Sequence, residues 1–199
     1  MSQSAEPRFI VIEGIDGCGK STQIARVSKG RNWIVTREPG GTPLGLEIRS
    51  LLLHSDQEPT PLAEALLMAA DRAHHVETVI RPALESGQTV LSDRHAASTI
   101  AYQGWGHEGD VEQLERINAI ATGGLLPDLT ILLDLDVEAA SFRRSGDLDR
   151  LESLDVAFHE RVRRGYLAQA AADPGRWKVV DASMPLERVS DAVDEALGI

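Results

Sequence analysis

Five short apolar runs punctuate the chain: Arg8 to Glu13 (RFIVIE), Trp33 to Thr36 (WIVT), Thr89 to Ser92 (TVLS), Leu129 to Leu135 (LTILLDL) and Trp177 to Val180 (WKVV). Four of the five are rich in Val and Ile, the composition of strands buried on both faces of a sheet. Between them, apolar residues return every three or four positions. In the clearest segment Leu151, Leu154, Phe158, Val162 and Tyr166 alternate with Glu152, Asp155, Glu160, Arg161 and Arg163, which predicts an amphipathic helix. Strand and helix alternate throughout. The expected fold is therefore α/β, a five-stranded parallel sheet with helices on both faces and ligands at the carboxyl ends of the strands. Glu38 to Pro43 and Gly104 to Asp110 carry the Gly and Pro of loops. No repeat, low-complexity tract or linker breaks the pattern, and 199 residues suit one domain, 1–199, with 1–7 as a flexible tail.

Charge narrows the choice of partners. Lys and Arg number 20 against 31 Asp and Glu, a formal net charge of -11 at pH 7. A binder of nucleic-acid polymers needs a surplus of cations, so that class is disfavoured and any anionic ligand must be met by locally placed ones. The single cysteine, Cys18, excludes an internal disulfide and a cysteine zinc site and suits a reducing compartment. No apolar run reaches membrane-spanning length, and MSQSAEP lacks the basic-then-apolar order of a secretion signal. A cytoplasmic chain with no membrane partner is expected.

The strongest local signal follows the first strand. Gly14 to Ser21 reads GIDGCGKS, a match to GxxxxGK[ST] set between a strand and a helical segment, as a phosphate-binding loop requires. Gly14, Gly17 and Gly19 let the backbone curl with its amides inward, and the following helix N-terminus adds partial positive charge. Lys20 can reach the outer phosphates of ATP, and the Ser21 hydroxyl suits a Mg2+ ligand; Thr22 is the next ATP-binding candidate. At Cys18 a small side chain is needed where phosphate approaches, and a redox role is the weaker reading. A GTPase would carry NKxD, yet the only asparagines, Asn32 and Asn118, precede Trp and Ala.

Arg37, Arg49, Arg72 and Arg94 fall at element ends or on helix faces near the carboxyl edge of the sheet. Singly each would be a surface ion pair. Together, around a phosphate loop in an acidic chain, they point to a second anion site, as phosphoryl transfer needs cations on donor and acceptor alike. The adjacent His74 and His75 point about a quarter-turn or more apart on a helix, so solvated polar residues are expected there rather than a metal pair.

The blocks EGIDGCGKST, TREPGGTPLG, IRSLLL, DRAHHVETVIRPAL, SDRHAASTIAYQG, PDLTILLDL, DRLE and DASMPLERV resemble bacterial thymidylate kinases, in order and over nearly the whole chain. The resemblance implies an ATP-dependent, Mg2+-assisted kinase of dTMP that works as a homodimer. It also implies roles by position. Asp16 approaches the dTMP sugar; Glu38 and Pro39 shape the acceptor site; Arg49, Arg72 and Arg94 hold the acceptor phosphate, with Arg94 bridging to the donor. Asp93 supports the metal, while Thr99, Tyr102 and Gln103 contact base and deoxyribose. Their spacing of three and four puts these last three on one helix face. Met68 stands where the family usually has Phe against the base, one turn before Arg72. A lid at about 142–150 (within SFRRSGDLDRLE) is to cover the donor with Arg143, Arg144 and Arg150. The rival readings are a kinase of another nucleoside monophosphate and a non-catalytic nucleotide-binding regulator. Direct in-line transfer is the expected mechanism.

Overall fold

Strand β1 (Phe9–Glu13) is buried along its whole length, because it runs through the middle of the sheet and has neighbours on both sides. A computed structural model of the chain describes residues 8–55, 58–143 and 149–199; the expected tail at 1–7 lies outside them. Among these residues β2 (Ile34–Arg37), β3 (Val90–Asp93), β4 (Leu129–Asp134) and β5 (Trp177–Asp181) join β1 in the order β2-β3-β1-β4-β5, every pair parallel. Alternate residues of β1 serve opposite layers. Phe9 and Val11 pack with Val76, Ile80 and Ala83, whereas Ile10 and Ile12 join the larger core with Ile24, Val27, Ile131 and Val193. Each such side chain, fully buried, contributes about 1.5–3 kcal/mol. The two outer strands differ from the expectation of burial: Val35 and Val179 are about half exposed, since an edge strand has its second side open.

The helices are α1 (Lys20–Ser28), α2 (Pro43–His54), α3 (Pro61–His75), α4 (Arg81–Glu85), α5 (Ala96–Thr99), α6 (Val111–Thr122), α7 (Val137–Arg143), α8 (Val156–Ala172) and α9 (Leu186–Leu197). Most starts carry a chemical reason. Thr42 accepts a hydrogen bond from the Gly45 amide at 2.9 Å with Pro43 next in the chain, and Asp155 accepts from Phe158 N at 2.7 Å. This last cap corrects the sequence reading. Leu151 and Leu154 share the apolar spacing of α8 but precede it, because Asp155 terminates the helix on that side. Two π-helical stretches, Val76–Ile80 after α3 and Ile100–Gly106 after α5, continue these helices with wider turns. None of the described helices is long and apolar enough to cross a membrane.

Candidate active site

The loop from Gly14 to Gly19 leaves β1 and delivers the chain into α1. Gly14 has φ 140°, and a Cβ there would sit 2.6 Å from the Leu133 carbonyl oxygen and 2.7 Å from Cys18 Sγ, so only glycine fits. Gly19 caps α1 at φ 99° with no side chain accepting from the helix, and the first turn holds no acid. The terminal amides therefore stay available for an anion. Lys20 Nζ lies 3.0 and 3.1 Å from the carbonyls of Gly14 and Ile15 and 3.5 Å from Asp16 Oδ1. Around this loop opens a cavity of about 500 Å3 lined by Asp16 through Gln23, Asp93, Arg143, Glu152, Ala182, Met184, Leu186 and Val189. Asp93 Oδ1 is buried without a partner among the described residues. Cys18 is buried here, and burial raises its thiol pKa despite nearby Lys20 and Arg94, which disfavours a reactive thiolate.

A second cavity, about 110 Å3, adjoins the first and shares Asp16 and Glu152 with it. Its walls bring together Glu38, Pro39, Arg49, Met68, Arg72, Arg94, Thr99, Tyr102 and Gln103, the acceptor set that the sequence resemblance marks out. Met68 does lie on the cavity face one turn from Arg72. Thr99, Tyr102 and Gln103 share the cavity as their spacing predicts, carried by α5 and the π-helical stretch after it. Thr99 Oγ1 is buried with no partner among the described residues. Arg49 donates to the Pro39 carbonyl at 3.1 Å and pairs with no carboxylate among the described residues.

Buried charge underlies this cavity. Arg72, 1% exposed, donates through Nε to Glu38 Oε2 at 2.9 Å, through Nη1 to Asn118 Oδ1 at 2.7 Å and through Nη2 to the His95 carbonyl at 3.3 Å. Glu38 Oε1 lies 2.9 Å from Nδ1 of both His75 and His95. Burial alone would raise the Glu38 carboxyl; His95, Arg72 and the imidazole hydrogen bonds instead hold it well below the usual carboxylate range. His75 is therefore not the solvated residue expected. It is fully buried, with Nε2 2.6 Å from Thr36 Oγ1, because its helix position carries it to the inner face with Arg72 while His74 turns partly outward.

Arg94 lines the second cavity beside Asp16, which both cavities share, and stands at the end of β3 with φ 70°. An arginine in this left-handed region costs on the order of 1–3 kcal/mol. The Arg94 amide bonded to Ile12 O at 3.1 Å and the Ser92 hydroxyl bonded to Arg94 O at 2.8 Å hold it there. Its Nη2 donates to Asp16 Oδ1 at 2.6 Å and to Tyr102 Oη at 3.1 Å. Burial would raise the Asp16 carboxyl, but Arg94 and Lys20 hold it far below its ordinary value.

Of the lid arginines, Arg143 lines the loop cavity and donates to Ala182 O at 3.0 Å. Arg144 lies outside the described residues. Arg150 is not brought to the loop cavity; its Nη2 meets Glu64, a fully buried acid that also receives Gln103 Nε2, and its Nε donates to Leu52 O at 3.1 Å. Sequence reasoning did not single out Glu64, His95, Asn118 or the Ala182–Met184–Leu186 wall as site residues. His95 lies inside the block SDRHAASTIAYQG, and Ala182, Met184 and Leu186 lie inside DASMPLERV, so the family blocks held a signal for them, whereas Glu64 and Asn118 lie in no such block and only the fold brings them to the site.

Comparison with known proteins agrees with this geometry. The family model described as thymidylate kinase matches residues 12–193. The thymidylate kinase of Clavibacter michiganensis subsp. michiganensis is 51% identical over 193 residues, covering 93% of this chain and 92% of that one. That of Thermosynechococcus vestitus is 48% identical over 207 residues, covering 95% and 86%. A crystal structure of thymidylate kinase from Ehrlichia chaffeensis matches with a TM-score of 0.79 at 32% identity, over 97% of this chain and 99% of that chain. A phosphate loop, a neighbouring cation-lined cavity and this likeness along nearly the whole length together show that the chain belongs to the thymidylate kinase family of ATP-dependent phosphotransferases.

Proposed function

We propose that the chain transfers the γ-phosphoryl group of ATP to the phosphate of dTMP, giving dTDP and ADP, with Mg2+ as cofactor. The observation that carries this reading is the shared wall: Asp16 and Glu152 line both cavities, so a triphosphate on the loop and a monophosphate next door can meet end to end. On the donor side the free amides at Gly19, with Lys20, Ser21 and Thr22, hold the phosphates. Met184, Leu186 and Val189 offer an apolar wall to the adenine, with Arg143 at the rim. On the acceptor side Arg49, Arg72 and Arg94 supply the cations, and Met68, Thr99, Tyr102 and Gln103 form the wall for base and sugar. Arg94, in the acceptor cavity and bonded to Asp16 at the shared wall, stabilises charge that develops during transfer.

The residues fit Mg2+. Ser21 and Asp93 line the same cavity, Asp93 presents a buried oxygen without a partner among the described residues, and no described cluster of three acids, histidines or cysteines could hold a metal alone. A site completed by substrate phosphates is the usual arrangement for this ion, which when bound neutralises the β- and γ-phosphates. A cytoplasmic homodimer completes the reading. Leu44, Leu51, Leu62 and Leu66, exposed on α2 and α3, support association through these helices.

A coupled assay of ADP release with ATP and Mg2+, run against dTMP, dUMP, dCMP and thymidine, tests the function. The highest kcat/KM is expected for dTMP. A higher value for another acceptor would reassign the substrate, and no acceptor-dependent release would overturn the kinase reading.

A further inference from the structure

Tyr166 falls in the apolar stripe of α8, and its ring behaves as that spacing predicts. It is 1% exposed and meets the Tyr102 ring edge-on at 6.4 Å and 81°. The hydroxyl does something the stripe does not require. Arg94 Nη1 donates to Tyr166 Oη at 2.8 Å, Ser98 Oγ lies 2.7 Å from the same oxygen, and the hydroxyl donates to Glu13 Oε2 at 2.9 Å. A guanidinium only donates, so the phenol oxygen must accept from Arg94, which leaves the phenol proton for the Glu13 carboxylate. Glu13 is itself fixed: it is fully buried and accepts from the His95 amide at 2.9 Å and from Ser98 Oγ at 2.8 Å.

The two ends of the Arg94 guanidinium therefore face different surroundings. Nη1 is turned inward to Tyr166 and Ser98, while Nη2 is turned to Asp16 and Tyr102 at the wall common to both cavities. Asp16 is shared with Lys20, and in the proposed function with the acceptor sugar, so it cannot serve as the fixed anchor of Arg94. Tyr166, rooted in the core and backed by Glu13, can. Its hydrogen-bond chain also polarises along its length, and a phenol that donates to a carboxylate is a stronger acceptor for the guanidinium.

We propose that Tyr166 is a positioning residue for phosphoryl transfer, its hydroxyl backed by Glu13 and holding the Nη1 side of Arg94 so that Nη2 stays aimed between the two nucleotides. This rests on the role given to Arg94 above. Tyr166 touches no substrate, so its removal degrades the preset geometry and not nucleotide binding.

The test is Tyr166→Phe, which keeps the ring and removes the hydroxyl. We expect kcat to fall roughly tenfold with KM for ATP and for dTMP within about twofold, the signature of lost preorganisation. Repeating the substitution in an Arg94→Lys background separates positioning from packing, because a lysine cannot bridge Tyr166 and Asp16 at once. There Tyr166→Phe should cost less than about twofold. Wild-type kcat in Tyr166→Phe, or the same tenfold loss in both backgrounds, would overturn the proposal. Should Tyr166→Phe fail to fold, Glu13→Gln reports on the same chain: a several-fold lower kcat that disappears in the Arg94→Lys background is expected, and unchanged kcat overturns it. If Arg94→Lys alone retains wild-type kcat, the underlying role of Arg94 fails, and this proposal with it. A loss in Arg94→Lys beside normal Tyr166→Phe sinks only the positioning claim.

Discussion

The phosphate side of the donor cavity is formed by one continuous stretch, Asp16 to Gln23, where backbone amides and glycine conformations do most of the work and the key polar groups of Ser21 and Asp93 have little holding them among the described residues. The acceptor cavity is assembled from side chains of α2, α3, the Glu38–Pro39 loop, the end of β3, α5 and the segment before α8, and the charges of Glu38 and Arg72 beneath it are paired several times over, while Arg49 donates to the Pro39 carbonyl. This difference separates two kinds of anion site. A backbone site needs little side-chain support and tolerates a small residue such as Cys18 at its centre. A side-chain site must hold each cation in place with buried partners, so its integrity is tied to the stability of the fold.

The comparison can be broken most forcefully on the donor side. Lys20→Ala should lower kcat by at least about a thousandfold while leaving the thermal midpoint within a few degrees, because the hydrogen-bond partners of this amine, the Gly14 and Ile15 carbonyls, Asp16 and Cys18, all belong to the phosphate loop itself. Near-normal ADP release, or loss of the fold, would show that the loop is not built as described.

On the acceptor side the same kind of change should cost stability. Glu38→Gln leaves Arg72, His75 and His95 around a neutral amide, and breaking a buried pair of this kind costs about 3–5 kcal/mol. Urea unfolding should show a loss of that size, with KM for dTMP raised and KM for ATP nearly unchanged. The sign of the pH dependence follows from the depressed carboxyl. Below the ordinary value of 4.5 the unfolded chain takes up a proton that folded Glu38 refuses, so its contribution is complete above that pH and is lost as pH falls further. Glu38→Gln should accordingly be less sensitive to pH between about 3 and 5 than the wild type. Equal acid sensitivity in both would place the titration elsewhere.

Met68 sharpens the comparison with a smaller effect. It lines only the acceptor cavity and belongs to no charge network. Truncation to Ala should raise KM for dTMP roughly tenfold, from lost apolar area and a lost thioether contact to the base, and leave KM for ATP unchanged. Equal dTMP kinetics in a stable Met68→Ala variant would move the base away from this wall.

The same contrast explains what the sequence disclosed. The phosphate loop was legible because its chemistry is contiguous and its glycines are required by backbone geometry, as Gly14 against the Leu133 carbonyl shows. The five-stranded parallel sheet was legible from the alternation of apolar runs, but its strand order was not, so the exposure of Val35 and Val179, which depends on which strands became edges, could not be read from any local pattern. The acceptor residues were legible only through family resemblance. His75 looked like a surface residue because its partners, Thr36 and Glu38, are remote in sequence. Tyr166 looked like core because periodicity records where a ring sits and not what its hydroxyl touches. Arg150 was placed with the lid by its neighbours in the chain, yet the buried acid Glu64 on α3 holds it at the acceptor side.

At the centre of the account is the wall at Asp16 that the two cavities share, across which the proposed function has donor and acceptor meet without an intermediate on the protein. The most direct measurement is the stereochemical course of transfer from ATP made chiral at the γ-phosphorus with sulfur and oxygen isotopes. A single in-line displacement between adjoining cavities predicts inversion of configuration at phosphorus in the product. Retention would require two displacements through a covalent phosphoryl-protein, and would contradict the account.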